Sequence, residues 1–200
     1  MVRIIALGVF NMAAFDVKVE NVVVFATLGV DVPLEKISVE LDSAEYSPES
    51  FPGVIYRIKE PRVATLIFSS GKIVCTGARS IDTAKVAVEK VVEDLKKLGI
   101  KIPKEYELRV ENLVASTQIE AKEKINLEEV AVMLENSEYE PESFPGLVYR
   151  LTEPRVAFLL FGTGKIICTG SRSQDDINTA LGSFKETLES LGLNVNPIPA

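Results

Sequence analysis

FPGVIYRIKEPRVATLIFSSGKIVCTGARS, residues 51–80, returns as FPGLVYRLTEPRVAFLLFGTGKIICTGSRS, residues 144–173, with 20 of the 30 positions identical at an offset of 93. The match continues outward. Val19-Glu20-Asn21-Val22-Val23 answers Val110-Glu111-Asn112-Leu113-Val114 at an offset of 91, Leu34-Glu35-Lys36-Ile37 answers Leu127-Glu128-Glu129-Val130, Glu45-Tyr46 answers Glu138-Tyr139, and Leu98-Gly99 answers Leu191-Gly192. Two units of about 90 residues therefore share one architecture, too long per unit for a solenoid repeat. The seam falls near Lys101–Glu107, where Pro103 and mixed charges break the pattern.

Each unit reads as strand, helix, meander, helix. The β-branched run Val17–Phe25 is a strand. Pro33–Leu41 has helical spacing at Leu34, Ile37 and Leu41, with proline at its start. Ala44–Ser47, Val54–Lys59, Arg62–Phe68 and Ile73–Thr76 are strands, the last two joined by the turn composition Ser69-Ser70-Gly71-Lys72. Asp82–Leu98 is a long amphipathic helix with its stripe on Ala84, Val88, Val91, Val92, Leu95 and Leu98, closed by Gly99. Ile177, Leu181, Phe184, Leu188 and Leu191 repeat that stripe. The chain is thus expected to be an α+β protein with about ten antiparallel strands and four helices. Its expected division is an N-terminal arm 1–16, units 17–103 and 104–193, and a tail 194–200. The apolar Ile4–Phe15 behind Arg3 is too short to span a bilayer and is expected to be an extra strand or loose arm rather than a signal peptide.

Four helices can cover one sheet face, and antiparallel sheets usually leave the other polar. Here Val63–Phe68 and Val156–Phe161 are apolar on both sides. One parity (Val63, Thr65, Ile67) fits under the helices. The other (Ala64, Leu66, Phe68; Ala157, Leu159, Phe161) has none left to cover it. A large bare apolar face marks a binding surface.

Charge decides what binds. The chain of 200 residues carries −7, with a pI near 4.9. Taken whole, that argues against nucleic acid. Residues 51–79 nevertheless carry +4 and 144–172 carry +3, which leaves −14 on the other 142 residues. The same basic positions recur in both copies around the same apolar stripe, as suits a polyanion whose bases offer flat apolar surface. Phe51 and Phe68 sit at turns on one end of the meander and should lie side by side, as should Phe144 and Phe161. Apolar wedges of this kind insert between base steps in minor-groove proteins.

Other classes fit poorly. The chain has no histidine, which excludes Ser-His-Asp, Cys-His and His-metal chemistry. Cys75 and Cys168 alone cannot make a four-thiolate zinc site or a disulfide scaffold, so no metal or cofactor is expected and a reducing, intracellular compartment fits best. Gly162-Thr163-Gly164-Lys165 is too short for a phosphate loop and Ile166 follows the lysine. Asp175-Asp176 starts a helix, where it serves the dipole. A pure protein-interaction module would not need the repeated basic rim.

The tandem pattern Phe-Pro-Gly-x-x-Tyr-Arg-x-x-Glu-Pro-Arg-Val, then Leu-x-Phe-x-x-Gly-Lys-x-x-Cys-Thr-Gly, resembles the core of the TATA-box-binding protein family over roughly residues 17–193. The resemblance implies a saddle-shaped curved sheet with four helices on its convex face. It implies minor-groove binding at A·T-rich promoter DNA, DNA bending, and recruitment of a B-type initiation factor and, through it, RNA polymerase. Wedge insertion is a device for which this family is itself the reference case. By resemblance, Phe51, Phe68, Phe144 and Phe161 are the wedges, with Pro52 and Pro145 beside them. Asn21 and Asn112 are the central base-contacting pair, with Thr76 and Thr169 adjacent. Val23, Val114, Leu66, Leu159, Val74 and Ile167 form the floor. Arg57, Arg62, Lys72, Arg79, Arg150, Arg155, Lys165 and Arg172 meet phosphates and sugars. Glu140, Glu142 and Ser143 meet the B-type factor. Ser143 is smaller, and Phe25 bulkier, than the family's usual residue. A homodimer off DNA is left open. The absence of a long polar N-terminal tail and the mixed charge of the first long helix imply an archaeal-type, cytoplasmic protein over a nuclear one.

Overall fold

The computed structural model describes residues 15–121 and 123–198. The expectation for Ile4–Phe15 therefore lies almost wholly outside the described residues. The chain order is β1 (Lys18–Thr27), α1 (Leu34–Glu40), β2 (Ala44–Glu45), β3 (Gly53–Ile58), β4 (Val63–Phe68), β5 (Lys72–Ala78), α2 (Ile81–Lys97), β6 (Glu107–Gln118), α3 (Leu127–Met133), β7 (Ser137–Glu138), β8 (Gly146–Leu151), β9 (Val156–Phe161), β10 (Lys165–Ser171) and α4 (Gln174–Ser190). This is the α+β arrangement of two repeats expected from the sequence.

The ten strands form one antiparallel sheet ordered β2-β3-β4-β5-β1-β6-β10-β9-β8-β7. The order is a palindrome about the β1–β6 seam. Each unit supplies one half, and β1 and β6 close both halves into a single sheet with no edge at its centre. The strand pairs β3/β4 and β8/β9, whose turns carry the phenylalanine pairs, thereby lie towards opposite ends.

Helices α2 and α4 follow from their caps and stripes. Ser80 and Ser173 accept hydrogen bonds from the backbone N–H of Thr83 and Asp176, satisfying orphan donors of the first turn. Asp82, Asp175 and Asp176 stand in those first turns, where the helix dipole favours them. Gly99 (φ +82°) and Gly192 (φ +84°) end both helices, with Ile100 N–H donating to Leu95 O and Leu193 N–H to Leu188 O. Ala84, Ala87, Val88, Val91, Val92 and Leu95 of α2 are buried against the sheet, as are Ile177, Ala180, Leu181, Phe184 and Leu188 of α4. α1 is shorter than Pro33–Leu41, with Pro33 as its N-cap and no side-chain cap. Beyond Leu193, Val195 is buried, Ile119 bridges Pro197 and Ile198 N–H donates to Gln118 O, so this stretch docks along the end of β6.

Alternation in β4 and β9 follows the parity expected. Val63, Thr65 and Ile67, and Val156, Phe158 and Leu160, are buried, while Ala64, Leu66, Phe68, Ala157, Leu159 and Phe161 are only half-buried. Tyr149, Phe158 and Phe184 stack beneath the second half, with Phe158 and Phe184 ring centroids 4.5 Å apart. Thr65 occupies the place of Phe158 in the first half and donates to Tyr56 O at 3.0 Å, which satisfies its buried hydroxyl.

Cys75 and Cys168 lie on the buried side, fully enclosed. Burial pushes their thiols up to about 11 and about 12 respectively. The thiolate is the reactive species, so at pH 8 both are expected to react with a thiol reagent orders of magnitude more slowly than free cysteine. Rapid labelling of both in the native protein would contradict the strand register and the face assignment with it.

Candidate nucleic-acid interface

The open face is built outward from the β1–β6 seam. At its centre the repeat places an Asn-Thr pair twice. Asn21 Nδ2 donates to Thr76 Oγ1 at 3.2 Å, and Asn112 Nδ2 donates to Thr169 Oγ1 at 3.4 Å. Gly77 N–H donates to Asn21 Oδ1, and Gly170 N–H to Asn112 Oδ1, both at 2.8 Å. A backbone N–H can only donate, so it fixes which end of each amide is oxygen. One hydrogen of each amide nitrogen goes to threonine, and the other remains for a ligand on the open face.

The local reason is a pair of bulges. β1 faces β5 with Val22 opposite Ala78 and Val24 opposite Cys75, so Thr76 and Gly77 together oppose Val23. The second half does the same between Thr169 and Ser171. Gly77 and Gly170 carry φ of +96° and +99°, which a side chain would strain. Those extra residues aim the N–H groups at the asparagines.

At each end lies a phenylalanine pair. Phe51 and Phe68 have ring centroids 5.7 Å apart, and Phe144 and Phe161 5.8 Å apart. The tripeptide Phe-Pro-Gly explains this locally. A Cβ on Gly53 would stand 3.0 Å from a Phe51 ring carbon and 3.2 Å from one of Phe68, and a Cβ on Gly146 would stand 2.8 Å from Phe144. Glycine at both positions lets the rings lie down on the strand. Pro52 and Pro145, next to them, are exposed.

Between centre and ends, Val23, Leu66, Val74, Val114, Leu159 and Ile167 are half-buried and line the open side. None of these six, nor any of the four phenylalanines, packs against the hydrophobic core. Sequence reasoning missed Ile55, which pairs with Leu66, and Val148, which pairs with Leu159. Their parity in β3 and β8 was the available signal.

Arg57, Arg62, Arg79, Arg150, Arg155, Lys165 and Arg172 are exposed around this floor, and Lys72 is half-buried. Arg57, Arg62 and Arg79 line an open groove with Lys59, next to Asn21 and Thr76. Arg150 reaches Glu138 only at 3.9 Å. Arg172 is held more closely, by Glu111 at 3.0 Å.

The division into basic strands and an acidic remainder needs correction at the seam. Glu20 and Glu111, which the local charge count left out, belong to the open face. Ser116, whose strand partner is Ile167, donates to Glu20 Oε1 at 2.8 Å, and Lys18 stands 3.2 Å away. The Ser116 hydroxyl, then Lys18, hold the Glu20 carboxyl below the ordinary carboxylate range. Glu111 is shared by Arg109 at 3.2 Å and Arg172 at 3.0 Å. The pairing of β1 with β6 brings Ser116 to Glu20, and that of β6 with β10 brings Arg172 to Glu111, so no local window could reveal these two contacts.

The loop before Phe144 is a tight turn in which Ser143 and Phe144 N–H both donate to Glu140 O at 2.9 Å. Glu140, Glu142 and Ser143 are exposed there, beside the second phenylalanine pair.

Residues 16–98 and 107–191 match a family model described as transcription factor TFIID, or TATA-binding protein. The chain is 45% identical over 182 residues to the TATA-box-binding protein of Methanobrevibacter smithii, covering 91% of this chain and 99% of that one. It is 46% identical to that of Archaeoglobus fulgidus, covering 91% and 100%. It is 47% identical over 180 residues to TATA-box-binding protein F of Halobacterium salinarum, covering 90% and 97%. The solved structure of Methanococcus jannaschii TBP superposes with a TM-score of 0.80 at 43% identity, covering 87% of this chain and 98% of that one. Two matched repeats, a palindromic sheet with one bare face and near full-length identity to archaeal relatives agree: the chain belongs to the TATA-binding protein family.

Proposed function

We propose that the open face seats the minor groove of A·T-rich promoter duplex and bends it with the two phenylalanine pairs. By family the chain is a general transcription factor that binds TATA-type DNA, not an enzyme. The observation that carries the finer reading is the twofold Asn-Thr centre flanked by Phe51/Phe68 and Phe144/Phe161. An amide with one free N–H meets adenine N3 or thymine O2, whereas the guanine amino group would oppose it. The phenylalanines supply wedges that partly unstack a step at each end. Val23, Leu66, Val74, Val114, Leu159 and Ile167 supply the apolar floor.

In this reading residues 17–103 and 104–193 each cover one half-site, with 1–16 as an arm and 194–200 as a tail. Arg57, Arg62, Lys72, Arg79, Arg150, Arg155, Lys165 and Arg172 contact phosphates and sugars. Glu140, Glu142 and Ser143 meet a B-type initiation factor, which in turn brings RNA polymerase. The protein works in an archaeal-type cytoplasm. Among the described residues no helix is long and apolar enough to cross a membrane. A homodimer off DNA would bury the same apolar face.

A mobility shift on A·T-rich duplex over a salt series tests the reading. Log K is expected to fall with log[salt] by about 0.9 per phosphate neutralised. Lys165→Ala should flatten the slope by about one unit and leave base preference unchanged. A parent slope near zero would exclude the phosphate role of the rim.

A further inference from the structure

The loops that lead from β1 to α1 and from β6 to α3 are stapled to the neighbouring turns in the same way. In the first half Leu28 N–H donates to Gly71 O and Val32 N–H to Ser69 O. In the second Ile119 N–H donates to Gly164 O and Ile125 N–H to Gly162 O. Between the staples the first loop has three residues, 29–31, and the second has five, 120–124. The rise of the repeat offset from 91 to 93 therefore falls here. Counted back from the second staple, Lys124 takes the place of Asp31, and Gly162 that of Ser69.

The two differences fit each other. A Cβ on Gly162 would stand 2.9 Å from Lys124 Cε and 3.0 Å from its Cγ. Glycine leaves the lysine stem room to lie across the turn after Phe161, where a serine like Ser69 would push it aside. Lys124 thereby lines a recess with Pro145, Phe161, Gly162, Thr163 and Lys165, beside the Phe144/Phe161 pair. Among the described residues no carboxylate lines this recess, and Glu120 and Glu123 of the same loop line a separate one. Lys124 and Lys165 are both exposed, and neither is ion-paired among the described residues. Two cations at one apolar wall, with no counter-charge built in, present a seat for an anion from outside the chain. Asp31, at the matching place of the first half, would repel the same anion.

We infer that Lys124 is a further phosphate-contacting residue which, with Lys165, holds the duplex backbone at the step wedged by Phe144 and Phe161. This rests on the reading of the open face as the DNA seat. An ammonium on a long stem meets a phosphate as a point charge and needs no fixed fork geometry. Phosphate contacts position a protein without reading sequence, so Lys124 adds affinity and salt dependence but no base preference. Lys124 lies outside the basic stretch 144–172, so the charges of the strands give no sign of it.

The test measures binding to A·T-rich duplex over a salt series. Lys124→Ala should flatten log K against log[salt] by about one unit, the share of one phosphate. Lys124→Arg keeps the charge and should restore the parent slope. Lys96→Ala is the control. Lys96 is exposed on α2, which packs on the other side of the sheet, so its loss changes the net charge equally without touching the seat. It should leave the parent slope unchanged. Ethylation of individual phosphates adds a positional readout: a phosphate whose ethylation blocks the parent should cease to block Lys124→Ala. Thermal melting checks that each variant is folded. A slope unchanged in Lys124→Ala, or flattened equally in Lys96→Ala, overturns the inference while the DNA seat stands. A parent slope near zero, or no binding to the duplex, overturns the DNA seat itself, and the inference with it.

Discussion

Phe161→Ala is expected to melt close to the parent and to lose most of its DNA bending. The ring is on the open parity of β9, touching Phe144 and nothing of the core. Its removal leaves no buried cavity, so the stability cost should stay within about 1 kcal/mol. As a proposed wedge, by contrast, the ring would unstack a base step at a cost of a few kcal/mol that is offset only when the bent duplex reaches more protein. Without it one end of the site should relax, lowering both bend and affinity. The internal control lies three residues earlier. Phe158 is fully buried and stacks on Phe184, with Tyr149 beyond. Phe158→Ala is expected to cost about 3–5 kcal/mol, which for a protein of this size lowers the melting temperature by about 6–20 °C. Melting curves set beside end-to-end energy transfer on labelled duplex separate the two. If Phe161→Ala collapses in melting while the remaining complex stays fully bent, the open face has been assigned to the wrong side of the sheet.

The second large effect concerns the centre. Asn21→Ala and Asn112→Ala each remove one free amide donor, and each also leaves a glycine N–H without its acceptor. Each change is expected to weaken binding to A·T-rich duplex by about tenfold or more, the scale of one good base contact. The double change should also narrow the gap between an A·T and a G·C pair at the middle of the site, because the group proposed to meet A N3 or T O2 is gone. Competition binding with duplexes that differ only at the central pairs reads this directly. Equal losses on both duplexes would show that the asparagines hold the bulges and do not read the base edges.

The duplication in 51–80 and 144–173 determined a great deal by itself. Identical hydrophobic spacing in two copies can only build the same unit twice, and the parity of Val63–Phe68 separated a helix-covered face from a bare one. Side-chain period in a strand is a local property, so it is legible without the partner strands. Phe51 beside Phe68 was legible too, because a meander returns alternate turns to the same end. The boundaries of α1 and β2 shifted by one or two residues, since a proline N-cap and a two-residue strand have little local signal. What remained hidden depends on which strands meet. The β1–β6 pairing joins segments about 90 residues apart and put Glu20 under Ser116, while the β6–β10 pairing brought Arg172 to Glu111. The β1–β6 pairing also put Arg109 over Phe25. The bulges at Gly77 and Gly170, which turn a Thr-Gly dipeptide into a clamp on an asparagine, exist only where β1 faces β5 and β6 faces β10. Local pattern specifies the faces of a sheet, but the chemistry across its seam is set by register, and register is a property of two strands together.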